Sequence, residues 1–244
     1  MPEPAPVTTA TLFSKLLTPS DLPARTRSLR PRRVAHAGDV VEPGLLGGHT
    51  ASVPAETERA VQAYSDVIGW SPVNTALVIT LTAPPQLVWP TLAVRTSYLV
   101  GEQADCLLRG TDTDWLGPAS EDFDGFVAVR RGVVERWGVP STVFWYVAGE
   151  YYLGTLVIRH ELNGELADEE GGHIGYHVVA PWRRQGHATR MLAAGLAKCR
   201  ELGLTEVLLC CSPDNEASRR VILNNGGRPD GRRHGEDRFW IDLS

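Results

Sequence analysis

A mixed α/β fold follows from three features of the chain. Residues 175–202, GYHVVAPWRRQGHATRMLAAGLAKCREL, pass from a strand through a proline-bent loop into a long helix. Residues 206–211, EVLLCC, are a near-continuous apolar run, which is how a strand buried on both faces reads. Residues 142–147 and 151–160, TVFWYV and YYLGTLVIRH, are β-rich and separated only by Ala148-Gly149-Glu150, so they predict a hairpin. The order around them predicts a sheet with a parallel β-α-β core spanning residues 173–211.

The elements follow in order. Residues 1–54 are rich in proline, alanine, glycine and arginine, with a basic cluster at Arg25, Arg27, Arg30, Arg32 and Arg33; such a segment reads as solvated and weakly ordered. Residues 55–70 have helical spacing and 73–82 read as a strand, so 1–85 form an extension that is partly disordered or a small accessory element. The main domain, 86–244, starts with a strand at 87–94, which Pro90 places at an edge or bulge. Residues 95–109 are helix-like and stop at Gly110; 111–120 form a loop with Asp112, Asp114 and Trp115. A helix then opens at Ser120-Glu121-Asp122 and is expected to continue to Trp137. After the hairpin, 162–172 form an acidic loop carrying Glu165, Asp168, Glu169 and Glu170. The strand at 173–179 leads to the long helix, whose apolar stripe is Ala188, Met191, Leu192, Gly195, Cys199 and Leu202 and which stops at Gly203. Ser212-Pro213 starts a further helix at 214–224, and 237–243 alternate as a final strand.

Composition narrows the function classes. With 43% hydrophobic residues in 244 the chain supports a real core, and a net charge of −5 argues against bulk nucleic-acid binding. The cysteines, Cys106, Cys199, Cys210 and Cys211, have neither C-x-x-C spacing nor a metal-ligand spacing with histidine, which predicts reduced thiols in a cytoplasmic protein. No apolar signal region and no long uncharged apolar run appears, so no membrane partner is expected.

The loop Arg183-Arg184-Gln185-Gly186-His187-Ala188 fits [Q/R]-x-x-G-x-[G/A] between a strand and a helix. Small residues at Gly186 and Ala188 let backbone N–H groups approach an anion, and the helix start leaves N–H groups without chain partners. Helix dipole and arginine charge then make the site a cradle for phosphate or pyrophosphate. No G-x-x-x-x-G-K-[ST] occurs, and Gly171-Gly172-His173-Ile174-Gly175 leads into a strand, whereas a dinucleotide fingerprint opens a helix.

The segments GYHVVAPWRRQGHATRML and EVLLCCSPDNEASRRVILNNGG resemble the core motifs of the GNAT N-acetyltransferase superfamily, and the likeness runs over residues 87–243 in element order. The resemblance implies a mostly antiparallel sheet around the β-α-β core, acetyl-CoA as cosubstrate, and direct acyl transfer to a primary amine of a small molecule or peptide. It places the pantetheine arm on the backbone of Val178 and Val179, and the pyrophosphate on the N–H groups from Arg184 through Gln185, Gly186, His187 and Ala188 to Thr189. Asn215 and Ser218 take the positions expected near the pantetheine or sulfur. The position of the family's proton-donating tyrosine is Ile222 here. Either Cys211, Ser212, a tyrosine (Tyr146, Tyr151 or Tyr176) or water donates instead, or the thiolate leaves unaided, which its pKa of about 8.5 allows.

An amine with a pKa of about 10.4 must lose a proton before attack, so a base is required. The candidates are Glu161, Glu165, Asp168, Glu169, Glu170, His173 and His177; His173 and Glu170 are taken as the catalytic pair, with Cys211 as donor. His173 and His177 lie four apart on one strand face, but no third ligand accompanies them and no metal is expected. Asp114 and Trp115 are the expected acceptor-site residues, since acid and aromatic together suit a cationic amine. Homodimerisation is compatible with these features, and a catalytically silent acyl-CoA-binding protein of the same fold is the alternative reading.

Overall fold

A computed structural model describes residues 81, 83–109, 111–164, 166 and 171–244. The helix expected at 55–70, the strand at 73–82 apart from Leu81, and the acids Glu165, Asp168, Glu169 and Glu170 lie outside the described residues.

The first strand is shorter than expected. β1 spans only Gln86–Val88, because Pro90 cannot continue a ladder; a 3-10 turn at Leu92–Val94, capped by Thr91, feeds helix α1, Arg95–Arg109. Two short helices follow, α2 (Gly117–Glu121) and α3 (Phe123–Ala128), the latter capped by Asp122 accepting from the Gly125 N–H. The helix expected to run to Trp137 ends at Ala128. Val133–Arg136 is instead strand β2, paired with β3, Val139–Ala148. Trp137 and Gly138 both have positive φ (53° and 69°), the turn that joins twisted antiparallel strands, and β-branched Val133 and Val134 favour the pleat.

The predicted hairpin is β3 with β4, Tyr151–Arg159, and β4 pairs in turn with β5, Ile174–Val178. This gives the order β1-β3-β4-β5 with β2 on β3, while β6 (Glu206–Cys211), β8 (Glu236–Asp242) and β7 (Arg228–Arg233) form a second sheet in the order β6-β8-β7. Every ladder among the described residues is antiparallel. The β-α-β unit is present as β5, helix α4 (His187–Glu201) and β6, but its strands share no parallel ladder, since they separate to different sheets. Helix α5, Glu216–Asn224, starts after its cap Asn215 rather than at Asp214.

Helices cover both faces of the larger sheet. On the α1 side, Tyr98 packs among Phe123, Phe126, Trp145 and Tyr152 with ring centroids 4.7–5.8 Å apart, a dense aromatic core. On the other side α4 lies close enough that a Cβ at Gly195 would sit 2.6 Å from Leu156 Cδ1, so glycine sets the helix–sheet distance. Met191, Leu192 and Cys199 are fully buried on this stripe.

Candidate active site

The site begins where the two sheets part. At the start of β5 they are tied by the His173 N–H donating to Leu208 O (2.7 Å), the Leu208 N–H donating to His173 Nδ1 (2.9 Å), and a bridge between Gly172 and Leu209. Gly172 has φ +65°, and a Cβ there would lie 2.4 Å from Leu208 O, so only glycine permits this junction. Burial, with Arg159 nearby, pushes the His173 imidazole down to about 4, and the ring is neutral at pH 7. His173 thus joins the sheets.

Beyond this tie β5 and β6 share no ladder. The Val179 N–H donates to Leu153 O, so antiparallel alternation turns the Val178 backbone toward the opposite edge, facing the parting. The Val178 carbonyl accepts from Arg183 Nε at 2.8 Å, and the same guanidinium pairs with Asp105 on α1. Arg183 therefore clamps the end of β5 to α1, while its neighbour Arg184 is exposed, with φ 60°, beside the start of α4.

The loop expected to hold phosphate turns sharply into α4. Gly186 caps α4 with φ 75° and provides no side-chain hydrogen bond, so the N–H groups of Gly186, His187, Ala188 and Thr189 stand at the open positive end of a helix of 15 residues. A Cβ at Gly186 would lie 3.0 Å from Arg190 Nη1. Gln185 Nε2 donates to Pro181 O and Arg190 Nη2 to Gln185 O, which holds the loop's shape. The His187 ring is buried edge-on to Trp182 and Tyr146, and burial, with Arg190, brings its pKa to about 4; it offers the cradle backbone rather than charge.

On the far side of the parting, Asn215 is buried and caps α5 by accepting the Ser218 N–H at 2.9 Å. The Tyr176 hydroxyl crosses from β5 to Ser218 Oγ at 2.9 Å. Burial raises the Tyr176 phenol well above its ordinary value, so it stays protonated. Ile222 is fully buried, and a Cβ at Gly227 would come 2.5 Å from its Cγ2, so the Gly226-Gly227 pair accommodates isoleucine here. Cys211 is buried opposite Asp237 in the β6-β8 ladder, and burial pushes its thiol up to about 12.

The sequence reading missed a polar group under α1. Glu102 Oε1 lies 3.0 Å from His177 Nε2 and accepts from the Tyr152 hydroxyl at 2.6 Å; that hydroxyl also contacts Thr155 Oγ1 at 2.6 Å. Burial alone would raise the Glu102 carboxyl, but the adjacent His177 and the bonds from His177 and Tyr152 bring it below its ordinary value. Asp105, three residues on, pairs with Arg183 and, at 2.9 Å, Arg109. Glu102, Asp105 and His177 offer ligand atoms within 4.8 Å of one another, and Asp105 is already paired with the guanidinium groups of Arg183 and Arg109. The signal was available: two acids at i, i+3 on the apolar side of a helix that must pack against a sheet.

The expected acceptor residues are less constrained. Trp115 packs half-buried against the core, and Asp114 is exposed on a 3-10 turn, its N–H donating to Asp112 Oδ1. Glu170 lies outside the described residues.

Residues 118–228 match the family model described as an acetyltransferase (GNAT) domain. That stretch is similar to the GNAT acetyltransferase family. No curated protein matches it in sequence. Solved structures similar to it include the Salmonella typhimurium acetyltransferase that modifies the N-terminal serine of ribosomal protein L7/L12 (13% identity, 67% of this chain and 96% of that one, TM-score 0.46). Another is Mycobacterium smegmatis RimJ in complex with CoA-disulfide (21%, 66% and 86%, 0.46). A third is the microcin C7 self-immunity acetyltransferase MccE with acetyl-CoA and AMP (13%, 65% and 92%, 0.44). Among the described residues no helix is long and apolar enough to cross a membrane.

Proposed function

We propose that the protein transfers an acetyl group from acetyl-CoA to a primary amine of a small molecule or peptide by direct attack. The observation that carries this reading is the parting of β5 and β6 above the uncapped start of α4, within a stretch that matches the GNAT family. The residues fit the cosubstrate: an anion can approach the Gly186–Thr189 N–H groups closely because Gly186 has no side chain, and Arg184 adds charge. The Val178 N–H takes one polar atom of an arm laid along β5. Acetyl-CoA, when bound, supplies an activated acyl group and a thiol that leaves readily.

The chain's own residues do the rest. His177 accepts the amine proton, and Glu102 fixes the imidazole and stabilises the charge it gains. This assignment replaces His173 as base, because the His173 ring is committed to the sheet junction. Tyr176 holds its proton at Oη across the parting from Ser218 and stabilises the departing thiolate, a task for which Cys211, fixed in a ladder, is less well placed. Asn215 and Ser218 shape the wall formed by α5.

Thiol release from acetyl-CoA over a panel of polyamines, amino acids and peptides tests the activity. Release above hydrolysis with at least one amine is expected. None at all would favour the silent acyl-CoA-binding alternative, which the fully buried Ile222 at the family's tyrosine position recommends. The free cysteines suit a reducing, cytoplasmic setting. The division at residue 85 is tested by cooperative unfolding of a chain that starts there.

A further inference from the structure

Tyr152 is fully buried in β4 and reaches α1 in three places. Its N–H donates to Ser97 Oγ at 2.8 Å, its ring centroid lies 4.8 Å from that of Tyr98, and its hydroxyl donates to Glu102 Oε1 at 2.6 Å. The strand is irregular at this point. Tyr146 of β3 faces Gly154 while Val147 faces Tyr152, so Leu153 is an extra residue in the ladder. Side chains three apart on a regular strand point to opposite faces. The bulge instead brings Tyr152 and Thr155 together, with Tyr152 Oη 2.6 Å from Thr155 Oγ1. Thr155 is in turn the cross-strand partner of His177.

The donors present fix the direction of these bonds. An ionised carboxylate only accepts, so the single phenolic proton goes to Glu102, and Thr155 must donate to Tyr152. Two hydroxyls in series thus aim at the oxygen that lies 3.0 Å from His177 Nε2. Glu102 Oε2 is buried with no hydrogen-bond partner among the described residues, so the anion leans on Oε1. The other groups around it are His177 on β5, Arg109 on α1, and Asp105, whose oxygens are held by Arg109 and Arg183. Tyr98 and Cys106 of α1 are neutral, since burial raises both. Tyr152 therefore accompanies the carboxylate whether or not His177 is charged.

We propose that Tyr152 is a positioning residue for the proton transfer: its hydroxyl, oriented by Thr155, holds the Glu102 carboxylate as an anion aimed at His177. The proposal rests on the reading of His177 as proton acceptor and deepens it. A donor to Oε1 disperses the negative charge, so without it the Glu102–His177 pair takes up its first proton more readily. Loss of the hydroxyl should then move the acid limb of the reaction to higher pH without lowering the rate above it.

Tyr152→Phe tests this, since phenylalanine keeps the ring packing and the bond to Ser97. In the pH profile of kcat for thiol release, which reads the saturated complex, the acid limb should move up by about one pH unit. The plateau should stay within about 3-fold of wild type, and Thr155→Val should move the limb the same way by roughly half as much. A tyrosine that only packs would lower the plateau or the Tm with the limb in place; an unmoved or lowered limb overturns the proposal. If no amine releases thiol, the acetyl-transfer reading fails, and the bond is read by itself. Carbon-13 NMR of protein labelled at the glutamate carboxyls, with Glu102→Gln to assign the resonance, follows that group directly. At pH 5 Glu102 should be ionised in the wild type and about one quarter protonated in Tyr152→Phe. Equal ionisation in the two proteins overturns the proposal.

Discussion

Replacing Glu102 by glutamine tests the proposed proton-accepting pair. The change conserves shape, and an amide oxygen can still accept the Tyr152 hydroxyl, which sits 2.6 Å from Oε1. What disappears is the negative charge 3.0 Å from His177 Nε2. A hydrogen bond to an ionised group contributes about 1.5–3 kcal/mol and a neutral one about 0.5–1.5. The difference, about 1–2 kcal/mol, falls on the step in which the imidazole becomes charged, and 1.36 kcal/mol is tenfold in rate. Glu102→Gln should therefore lower kcat roughly 10-fold. Acetyl-CoA affinity should stay within about 2-fold, because Glu102 lies on the α1 face and the cradle is built by the start of α4. Single-turnover kinetics on saturated protein, with calorimetry for the cosubstrate, separates the two effects. An unchanged kcat, or a loss confined to acetyl-CoA binding, would refute His177–Glu102 as the proton-accepting pair.

Further predictions follow from the same geometry. Gly186→Glu places a carboxylate in the cradle where even a Cβ would meet Arg190 at 3.0 Å, so acetyl-CoA affinity should fall at least about 100-fold by calorimetry; unchanged affinity would remove the cradle from the account. Gly154→Ala drives a Cβ to 2.1 Å from His177 O, so β4 and β5 must separate; urea unfolding should show a loss of about 1–3 kcal/mol, and a neutral result would contradict the observed register. His173 and His187 have folded pKa values near 4 against about 6.5 unfolded, so the unfolded chain binds protons first as pH falls. Their contribution is complete above pH 6.5 and is lost between 6.5 and 4, up to about 2 kcal/mol each by pH 5. His187→Gln should flatten part of that slope, and an identical slope in the variant would contradict the buried neutral ring.

The local geometry proposed for acetyl-CoA is largely legible in the sequence, and that proposed for the amine is not. The loop 183–188 is legible because its chemistry is local: a proline bend, a glycine at positive φ and a helix start all fall within a few residues. Asn215 is legible for the same reason, since a helix cap is a neighbour interaction. The pair Glu102–His177 spans 75 positions and exists only because α1 packs over β5, a tertiary fact no local pattern states. Val133–Arg136 read as helix because its apolar spacing continues that of Phe123 and Phe126, while the turn at Trp137-Gly138 needs a non-glycine residue at positive φ. β7, RPDGRR, is exposed along its whole length, so no hydrophobic alternation marks it; its pairing with β8 alone makes it a strand. Arg183 reads as a phosphate ligand, yet its partners, Val178 O and Asp105, lie across the fold.

The central claim is that the parting of β5 and β6 takes acetyl-CoA with its pyrophosphate on the start of α4. Titration calorimetry of the purified protein with acetyl-CoA measures this directly. Saturable one-to-one binding that Gly186→Glu abolishes is the predicted result; no heat with the wild-type protein, or equal binding by both, would contradict it.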